Sequence, residues 1–477
     1  MKKWLTGVTA LLWLLSCNSA AEVPTPEQIA AGIFEGQFQT AEKLIGQYTA
    51  SAPMSPEEKL RWEWEVERMH RISLDFNRTG EEALEYIRRY IPDVTEEQIK
   101  AWEASGALEY MVINGEKRYF SRAFRNLFRI DSTCRARFLE VNGPDRDVKA
   151  PLLQEHLPSI VEQTLRKKTE RVEPRTYTIT YTLTVPANTV PEGEIIRAWM
   201  PLPRTDVARQ NGFRLLSVSD PVYIISPDAF VHKSIYMEQA AVQDRDAVFE
   251  YTFTYTALAQ YHHFDPLRDL LPYDTLSPPY REYTKACPPH ILTGGPVAEL
   301  AKSVVGEETN PFLQLQKIFT YISRTYPWAG AREYSTIESI PLYVLENGHG
   351  DCGQVSLLFI SMCRSLGIPA RWESGWMLHP GEVNLHDWAE AYMEGIGWIP
   401  VDQSFGLQEE PVRLFYSRGM DAYRMAVNTG IGGAFFPAKI HPRSETVDFQ
   451  RGEVEWRGGN LYFNRWFYKL TVHASDK

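Results

Sequence analysis

A run of apolar residues at helical spacing, opened by a cysteine, is the feature that most constrains the fold of this chain. The apolar residues recur three and four positions apart and are Val355, Leu358, Phe359, Met362 and Leu366. This spacing predicts an amphipathic helix with one buried face, and Gly367 and Pro369 end it. Cys352 therefore begins the helix, where unpaired N–H groups and the positive end of the helix dipole favour a thiolate over a thiol.

Two short segments downstream of this helix predict an antiparallel hairpin. Residues 387–392 and 398–401 have strand character and flank a glycine-containing turn. If the turn is centred near residue 394, His386 and Asp402 lie roughly opposite each other, with Cβ atoms about 4.5–5.5 Å apart. Asp402 could then orient the imidazole of His386, and His386 could accept the thiol proton of Cys352. These are the roles of a thiol catalytic triad.

Four motifs around these residues resemble the transglutaminase-like superfamily over about residues 305–408. They are Gly350-x-Cys352, Leu366-Gly367-Ile368-Pro369-Ala370-Arg371, His386-x-Trp388-x-Glu390-x-Tyr392 and Gly397-Trp398-x-x-Val401-Asp402. The resemblance implies a fold in which the cysteine begins a helix and the histidine and aspartate lie on neighbouring strands. Any one motif alone would be a weak signal, but the four together are specific.

The resemblance also implies an activity. The chain would be a cysteine-type amidohydrolase or peptidase, or a protein-glutamine acyltransferase. Cys352 would attack an amide carbonyl to give a thioester that water or an amine resolves. The backbone N–H of Cys352 would be one oxyanion donor. Tyr326 and Trp328 are the candidates for the second donor, and the spacing does not choose between them.

Three residues near the motifs are candidates for the walls of a cleft. They are Trp388, Gln354 and His349, although a loop histidine such as His349 is more often simply exposed. Asp351 would oppose ionisation of Cys352 if its carboxylate pointed inward, but exposure is the usual state of an aspartate.

Two other hypotheses use the same residues. The first is a catalytically silent binding or scaffold lipoprotein that retains the fold, since the resembled superfamily includes members without catalysis. The second is a papain-like protease, and the short spacing between Cys352 and His386 argues against it.

The N-terminus indicates export from the cytoplasm. A basic start precedes an apolar run over residues 6–15 that is too short to span a membrane. Leu14-Leu15-Ser16-Cys17 resembles a bacterial lipobox, which makes residues 1–17 a lipoprotein signal peptide and Cys17 the lipidated residue. A secretory signal cleaved near Ala20 or Ala21 is the alternative. We expect a lipid-anchored protein of the cell envelope, periplasmic or surface-facing at the outer membrane.

Charge and composition limit the partners. The formal net charge is −11, whereas nucleic-acid binding needs a basic surface. The sequence has no Cys/His cluster with zinc spacing and no calcium-loop pattern, so neither a metal nor another cofactor is expected. The expected partners are a peptide, protein or cell-wall amide substrate, and the membrane through the N-terminal lipid only.

At 477 residues the chain is too long for one core, and the predicted class is multidomain α+β. Residues 24–165 are predicted to be mainly helical, with capping-box signatures that start at Thr25, Ser55 and Thr95. Period-two alternation of apolar residues and threonines predicts a β-sandwich over residues 172–262.

The remaining chain is predicted to form two further parts. Residues 290–410 would be the transglutaminase-like catalytic domain. Residues 411–477 would be a short β-rich extension packed on that domain, because their many aromatic residues suit a packed surface better than disorder.

Overall fold

The computed structural model describes residues 23–51, 53–145 and 147–475. The predicted signal peptide and Cys17 lie outside these ranges. The described chain is a multidomain α+β protein with four β-sheets. It divides into two compact units. One contains the chain up to His70 together with Val112–Glu116, and the other contains Arg71–Met111 and everything from Lys117 onward. The domain boundaries given in the sequence analysis stay predictions.

The first unit is helical. Its helices are α1 Pro26–Phe34, α2 Phe38–Ser51 and α3 Pro56–Asp75, the last of which continues into the second unit. Thr25 forms the predicted capping box on α1, because its hydroxyl accepts from the Gln28 N–H and the Gln28 side chain accepts from the Thr25 N–H. Ser55 accepts from the Glu58 N–H at 3.1 Å.

The helical part then continues and includes a small hairpin. Its elements are α4 Gly80–Arg88, α5 Glu96–Ala104, β1 Tyr110–Ile113, β2 Glu116–Tyr119, α6 Ala123–Ile130, α7 Ser132–Asn142 and α8 Ala150–Lys167. The capping box predicted at Thr95 is present on α5. Asn114 and Gly115 have φ angles of 50° and 84°, as a tight hairpin turn requires.

Six strands between residues 171 and 261 form most of a β-sandwich. They are β3 Arg171–Val185, β4 Ile195–Pro201, β5 Gln210–Val218, β6 Tyr223–Ile225, β7 Ser234–Ala240 and β8 Ala247–Tyr261. The apolar side chains of the alternating pattern, such as Tyr177, Ile179, Tyr251 and Phe253, are fully buried in one core shared by both sheets.

The segment with the candidate site combines helices and one sheet. Its elements are α9 Pro278–Tyr283, α10 Gly295–Val305, α11 Pro311–Thr325, α12 Ile340–Asn347, α13 Cys352–Ser365, β9 Ala370–His379, β10 Glu382–Met393 and β11 Gly397–Val401. The sequence predicts one buried face on α13, but the structure buries the helix on all sides, since every residue from Gly353 to Arg364 is buried. The cause is packing by α10, α11 and α12 in addition to β9 and β10.

The predicted hairpin is formed by β10 and β11, with a small difference in register. Met393 pairs with Gly397 and Ala389 pairs with Val401, so the turn is centred on residue 395 rather than 394. That difference moves the direct partner of each residue by two positions and therefore keeps the same side chains on the same face. His386 and Asp402 are consequently diagonal neighbours rather than direct partners.

The C-terminal extension contributes five strands. The sequence predicts that it packs on the catalytic domain, whereas in the structure it packs on the sandwich as well. The strands are β12 Gly419–Met420, β13 Arg424–Asn428, β14 Glu453–Trp456, β15 Gly459–Leu461 and β16 Phe467–Ser475. Only β13 joins the site's sheet, whose order is β11-β10-β9-β13. β12 and β16 extend one sandwich sheet, and β14 and β15 extend the other.

Strand β9 connects the two large cores. It contributes Trp372 to the core under α13 and Trp376 and Leu378 to the sandwich core. Gly375 lies where β9 meets β13, and a Cβ there would overlap the Met425 carbonyl oxygen. Among the described residues, no helix is both long and apolar enough to cross a membrane.

Candidate active site

Cys352 is the first residue of α13, as the sequence predicts. Asp351 caps the helix, because its carboxylate accepts from the Gln354 N–H at 3.0 Å and its N–H donates to Gln354 Oε1 at 3.0 Å. Asp351 also accepts from the Tyr334 hydroxyl at 2.8 Å. The expectation that Asp351 is exposed is therefore wrong, since the residue is half-buried and its carboxylate is held between the start of α13 and the Tyr334 hydroxyl.

His386 lies near the middle of β10 and is paired with Asp402. Its Nε2 lies 2.8 Å from Asp402 Oδ2. Burial alone would raise the pKa of Asp402, but His386, Arg424 and Ser404 hold that pKa down at about 2. Because the carboxylate is therefore ionised at neutral pH, Nε2 carries the proton in this pair. Nδ1 is then the ring nitrogen with a free lone pair when His386 is neutral.

Further groups fix Asp402 in place. Arg424 on β13 donates from Nη2 to Oδ2 at 3.0 Å, and Ser404 donates to Oδ1 at 2.9 Å. The backbone N–H of Phe405 also donates to Oδ1, at 3.3 Å. With His386 included, the buried carboxylate receives four hydrogen bonds, which offset its desolvation.

Cys352 and His386 open into one cavity of about 1030 Å³. Its walls come from the first half of α8, the turn region of β9 and β10, and the loop over residues 404–412. Trp328 also lines it and is 46% exposed. Of the two oxyanion candidates, Trp328 therefore shares the cavity with Cys352, whereas Tyr326 does not line it.

The Cys352 thiol donates its hydrogen bond to Asp387 Oδ2, at 3.3 Å. Within the described residues it makes none to His386. Burial raises the pKa of Cys352 well above its usual range, and the carboxyls of Asp387 and Asp351 raise it further. The expectation that the helix start favours a thiolate is therefore wrong for this arrangement, because burial and, after it, the two carboxyls outweigh the helix dipole.

The three predicted cleft residues do not line the cavity. Gln354 is fully buried and serves the cap of α13. Trp388 is also fully buried, and its Nε1 donates to Glu373 at 2.6 Å. His349 packs edge-on against Tyr343, and burial lowers its pKa to about 4. Their prediction as cleft residues is wrong because each side chain points into the protein.

Several residues that contact the site were not found from the sequence. Asp387 and Tyr334 lie against Cys352, and Arg424, Asp448 and Gln450 come from the C-terminal extension. Asp387 is next to His386 in the sequence, and its position on the opposite face of a strand from His386 was the one available signal. The other contacts depend on pairing between distant segments.

The other cysteines are free thiols. Cys134 and Cys363 are buried and Cys287 is exposed. In the part of the chain that the structure describes, no group of three or more histidine, cysteine, aspartate or glutamate side chains could hold a metal ion.

The fold and the site together define an α+β domain that presents a cysteine at a helix start beside a histidine–aspartate pair. Residues 298–403 match the family model of the transglutaminase-like superfamily. This segment therefore carries a transglutaminase-like domain, as the sequence motifs predicted. The catalytic roles of Cys352, His386 and Asp402 stay predictions.

One curated relative is similar over part of the chain. It is an uncharacterized protein of Haemophilus influenzae, 29% identical over 150 residues, in an alignment that covers 26% of this chain. The chain spans about 40% of the length of that relative.

Solved structures give weak similarities. A candidate cysteine protease from Cytophaga hutchinsonii is 15% identical with a TM-score of 0.44, covering 64% of this chain and 93% of its own. The periplasmic domain of TgpA from Pseudomonas aeruginosa is 12% identical with a TM-score of 0.26, covering 50% and 93%.

Proposed function

We propose that this protein is a thiol-dependent enzyme that acts on amide or peptide bonds through Cys352, His386 and Asp402. One observation carries the proposal. Cys352 and His386 face the same cavity, and the Nε2 of His386 is held by an ionised, buried Asp402. A histidine held in this way has a fixed tautomer and a lone pair on Nδ1, which a general base requires.

The steps follow from these positions. A substrate carbonyl enters the cavity, and the thiol of Cys352 passes its proton to His386 Nδ1 as the sulfur attacks. His386 returns the proton to the leaving amine, which leaves a thioester on Cys352. Water or a second amine then attacks the thioester, again with His386 as the base. Because the pKa of Cys352 is raised, proton transfer accompanies the attack rather than preceding it.

Trp328 is the proposed second oxyanion donor. The backbone N–H of Cys352 lies at the start of α13, where no helical carbonyl is available to accept it. Trp328 forms an isolated parallel bridge with Gly350, two residues before the cysteine, so its backbone is held close to the nucleophile, and the residue lines the same cavity as Cys352. Tyr326 instead packs against Tyr321, with ring centroids 6.1 Å apart.

The proposed location is the cell envelope, with a lipid on Cys17. The support is the N-terminal pattern of a basic start, a short apolar run and Leu14-Leu15-Ser16-Cys17. The test is the mass of the N-terminal peptide of protein purified from membranes. A lipid-modified Cys17 is expected, and an unmodified peptide that begins at or after residue 18 would contradict the anchor.

A catalytically silent binding protein is the second candidate function. The observation that favours it is the carboxyl environment of Cys352, where Asp387 and Asp351 oppose formation of a thiolate. In that case the cavity would bind a peptide or polymer without turning it over.

The two candidates separate in one experiment. The mature protein is incubated with a panel of N-blocked peptides, half of them containing glutamine, with and without a fluorescent primary amine. The readouts are cleavage, ammonia release and amine incorporation. The Cys352→Ala and His386→Ala variants should lose all turnover, whereas a Cys287→Ser variant, changed at an exposed cysteine, should keep it. Turnover that survives Cys352→Ala, or binding without turnover in the parent protein, would reject the enzyme.

A further inference from the structure

The hydrogen bond of the Cys352 thiol runs to a residue outside the proposed triad. Asp387 Oδ2 lies 3.3 Å from the sulfur. Asp387 and His386 are consecutive on β10, so their side chains leave opposite faces of the strand. The carboxyl of Asp387 faces the start of α13. It does not hold His386, whose partner is Asp402.

Asp387 is surrounded by polar groups from two other segments. Gln450 in the C-terminal extension donates to Asp387 Oδ1 at 2.6 Å, and to the backbone oxygen of His386 at 2.8 Å. The Tyr334 hydroxyl lies 3.3 Å from Oδ2. The carboxyl of Asp448 also lies close enough to that of Asp387 for the two to shift each other's pKa. Asp387 therefore has a fixed position against the sulfur.

The carboxyls of this cluster have few protons to share between them. Tyr334 has one hydroxyl proton and lies between Asp351 at 2.8 Å and Asp387 at 3.3 Å. The neighbouring buried carboxyls of Asp387 and Asp448 repel each other when both are ionised, which favours protonation of one of them. The cluster must therefore take up protons in a pH range where isolated carboxyls are ionised.

The pKa directions agree with this geometry. Burial raises the pKa of Asp387 to about 7, with a further rise from Asp351. Burial and Asp387 hold the pKa of Asp448 well above its usual range, against the opposing charges of Arg451 and Arg443. Both carboxyls therefore hold a proton more tightly than an isolated aspartate does.

The state of Asp387 changes what it offers the sulfur. As a carboxylate it can only accept, so it binds the S–H and repels a thiolate. As a carboxylic acid it can donate to the sulfur, which favours the thiolate. The proton that Asp387 gains comes from solvent, and no other group is consumed.

We propose that Asp387 is a positioning residue that controls the reactivity of Cys352: its carboxylate holds the thiol in the protonated state, and its protonation releases the sulfur for attack. The inference deepens the proposed function, because it takes Cys352 as the nucleophile. It predicts that Asp387 suppresses the reactivity of the Cys352 thiol at pH values above the range in which Asp387 ionises, and that this suppression is relieved below that range.

The test is the rate at which iodoacetamide modifies Cys352, measured from pH 5.5 to 8.5 by peptide-resolved mass spectrometry. The parent protein is compared with Asp387→Asn, which removes the charge and keeps the shape. Asp246→Asn is the matched control, because Asp246 is exposed and accepts from the Ala187 N–H, which asparagine can also do. Thermal unfolding checks that the variants are folded.

The Asp387→Asn protein should react at the parent rate at pH 5.5 and at least about tenfold faster at pH 8, since a tenfold change is one unit of thiol pKa. The ratio should rise across the range around pH 7. A ratio that stays flat with pH in a folded Asp387→Asn protein would overturn the proposal, because a purely structural role gives no pH dependence.

The same measurement in a His386→Ala background separates this inference from the proposed function. If the Asp387→Asn effect persists while peptide turnover is absent in every form of the protein, Asp387 controls the thiol but the enzyme hypothesis fails. If turnover is present and depends on His386, but the Asp387→Asn ratio is flat, the enzyme stands and the role of Asp387 is rejected.

Discussion

His386 Nε2 lies 2.8 Å from Asp402 Oδ2, although the β10–β11 register does not pair these two residues. The contact is diagonal across the hairpin, and Arg424 on β13 donates to the same carboxylate oxygen at 3.0 Å. The orientation of the proposed general base therefore depends on the C-terminal extension as well as on the hairpin.

The first prediction concerns Arg424, which is 2% exposed and also lies 3.4 Å from Asp421. Replacing it by methionine should remove the compensating charge from two buried carboxylates and cost about 3–5 kcal/mol of unfolding free energy. Urea denaturation of the parent and Arg424→Met proteins measures this. A matched change at an exposed arginine, Arg268→Met, should cost less than about 0.5 kcal/mol. Equal midpoints for the two variants would contradict the structural role of Arg424.

The stability of the folded protein at low pH should depend on the ionisation of Asp402. Its pKa falls from an ordinary value near 3.8 to about 2 on folding, so the folded state favours the ionised form. The stabilisation is complete above about pH 4 and is lost as the pH falls toward 2, with a magnitude of about 2 kcal/mol. Urea midpoints at pH 2, 3 and 4 should fall less steeply for Asp402→Asn than for the parent. Parallel pH profiles would contradict the lowered pKa.

The two carboxyls whose pKa values are raised should make the protein less stable as the pH rises. Folding raises the pKa of Asp387 to about 7 and that of Asp351 to about 6, mainly through burial. Since the folded state binds these protons more tightly, stability should fall as the pH rises from about 4 through 7. The Asp387→Asn protein should lose less melting temperature between pH 5 and pH 8 than the parent. A steeper loss in the variant would contradict this.

The two oxyanion candidates separate by substitution. Trp328→Phe removes the N–H of an indole that lines the cavity with Cys352 and should lower kcat by about 100- to 1,000-fold, with the fold intact. Tyr326→Phe removes a hydroxyl outside the cavity lining and should leave kcat within about twofold. Steady-state kinetics on a peptide found active in the panel measures both. The reverse order of effects would assign the donor to Tyr326.

Gly353 is required by the close approach of two groups to α13. A Cβ at this position would overlap the Tyr334 hydroxyl and lie 2.6 Å from Asp387 Oδ2. Gly353→Ala should displace both groups, lower the melting temperature and change the alkylation profile of Cys352. Gly46→Ala is the control, because Gly46 lies in α2 with nothing within 4 Å of its Cβ position. That change should be neutral or stabilising by about 0.5–1 kcal/mol. An unchanged Gly353→Ala protein would contradict the packing around Cys352.

The local parts of the site could be predicted from the sequence. The helix start at Cys352 follows from an apolar pattern and a stop at Gly367 and Pro369, which depend on neighbouring residues only. The pairing of His386 with Asp402 follows from a short hairpin, and a small error in its centre does no harm because strand faces alternate with period two.

The remainder could not be predicted because it depends on contacts between distant segments. Arg424, Asp448 and Gln450 reach the site only because β13 pairs with β9 and the chain then returns to the sandwich through β14 and β16. The prediction that the helix start favours a Cys352 thiolate was wrong for a related reason. The helix dipole can be read from position, whereas the inward direction of Asp351 and Asp387 is set by Tyr334 and Gln450.

The most direct test of the central claim is acylation of Cys352 by an activated ester, N-acetylglycine p-nitrophenyl ester, followed by the burst of p-nitrophenolate and by peptide mass. Attack on this ester needs the sulfur and its base but no specific leaving group, so it does not depend on knowing the natural substrate. The account predicts one acyl group on Cys352 per chain, no burst in Cys352→Ala, and a burst at least about 100-fold slower in His386→Ala. A burst that is unchanged in His386→Ala, or an acyl group found on the exposed Cys287 instead, would contradict it.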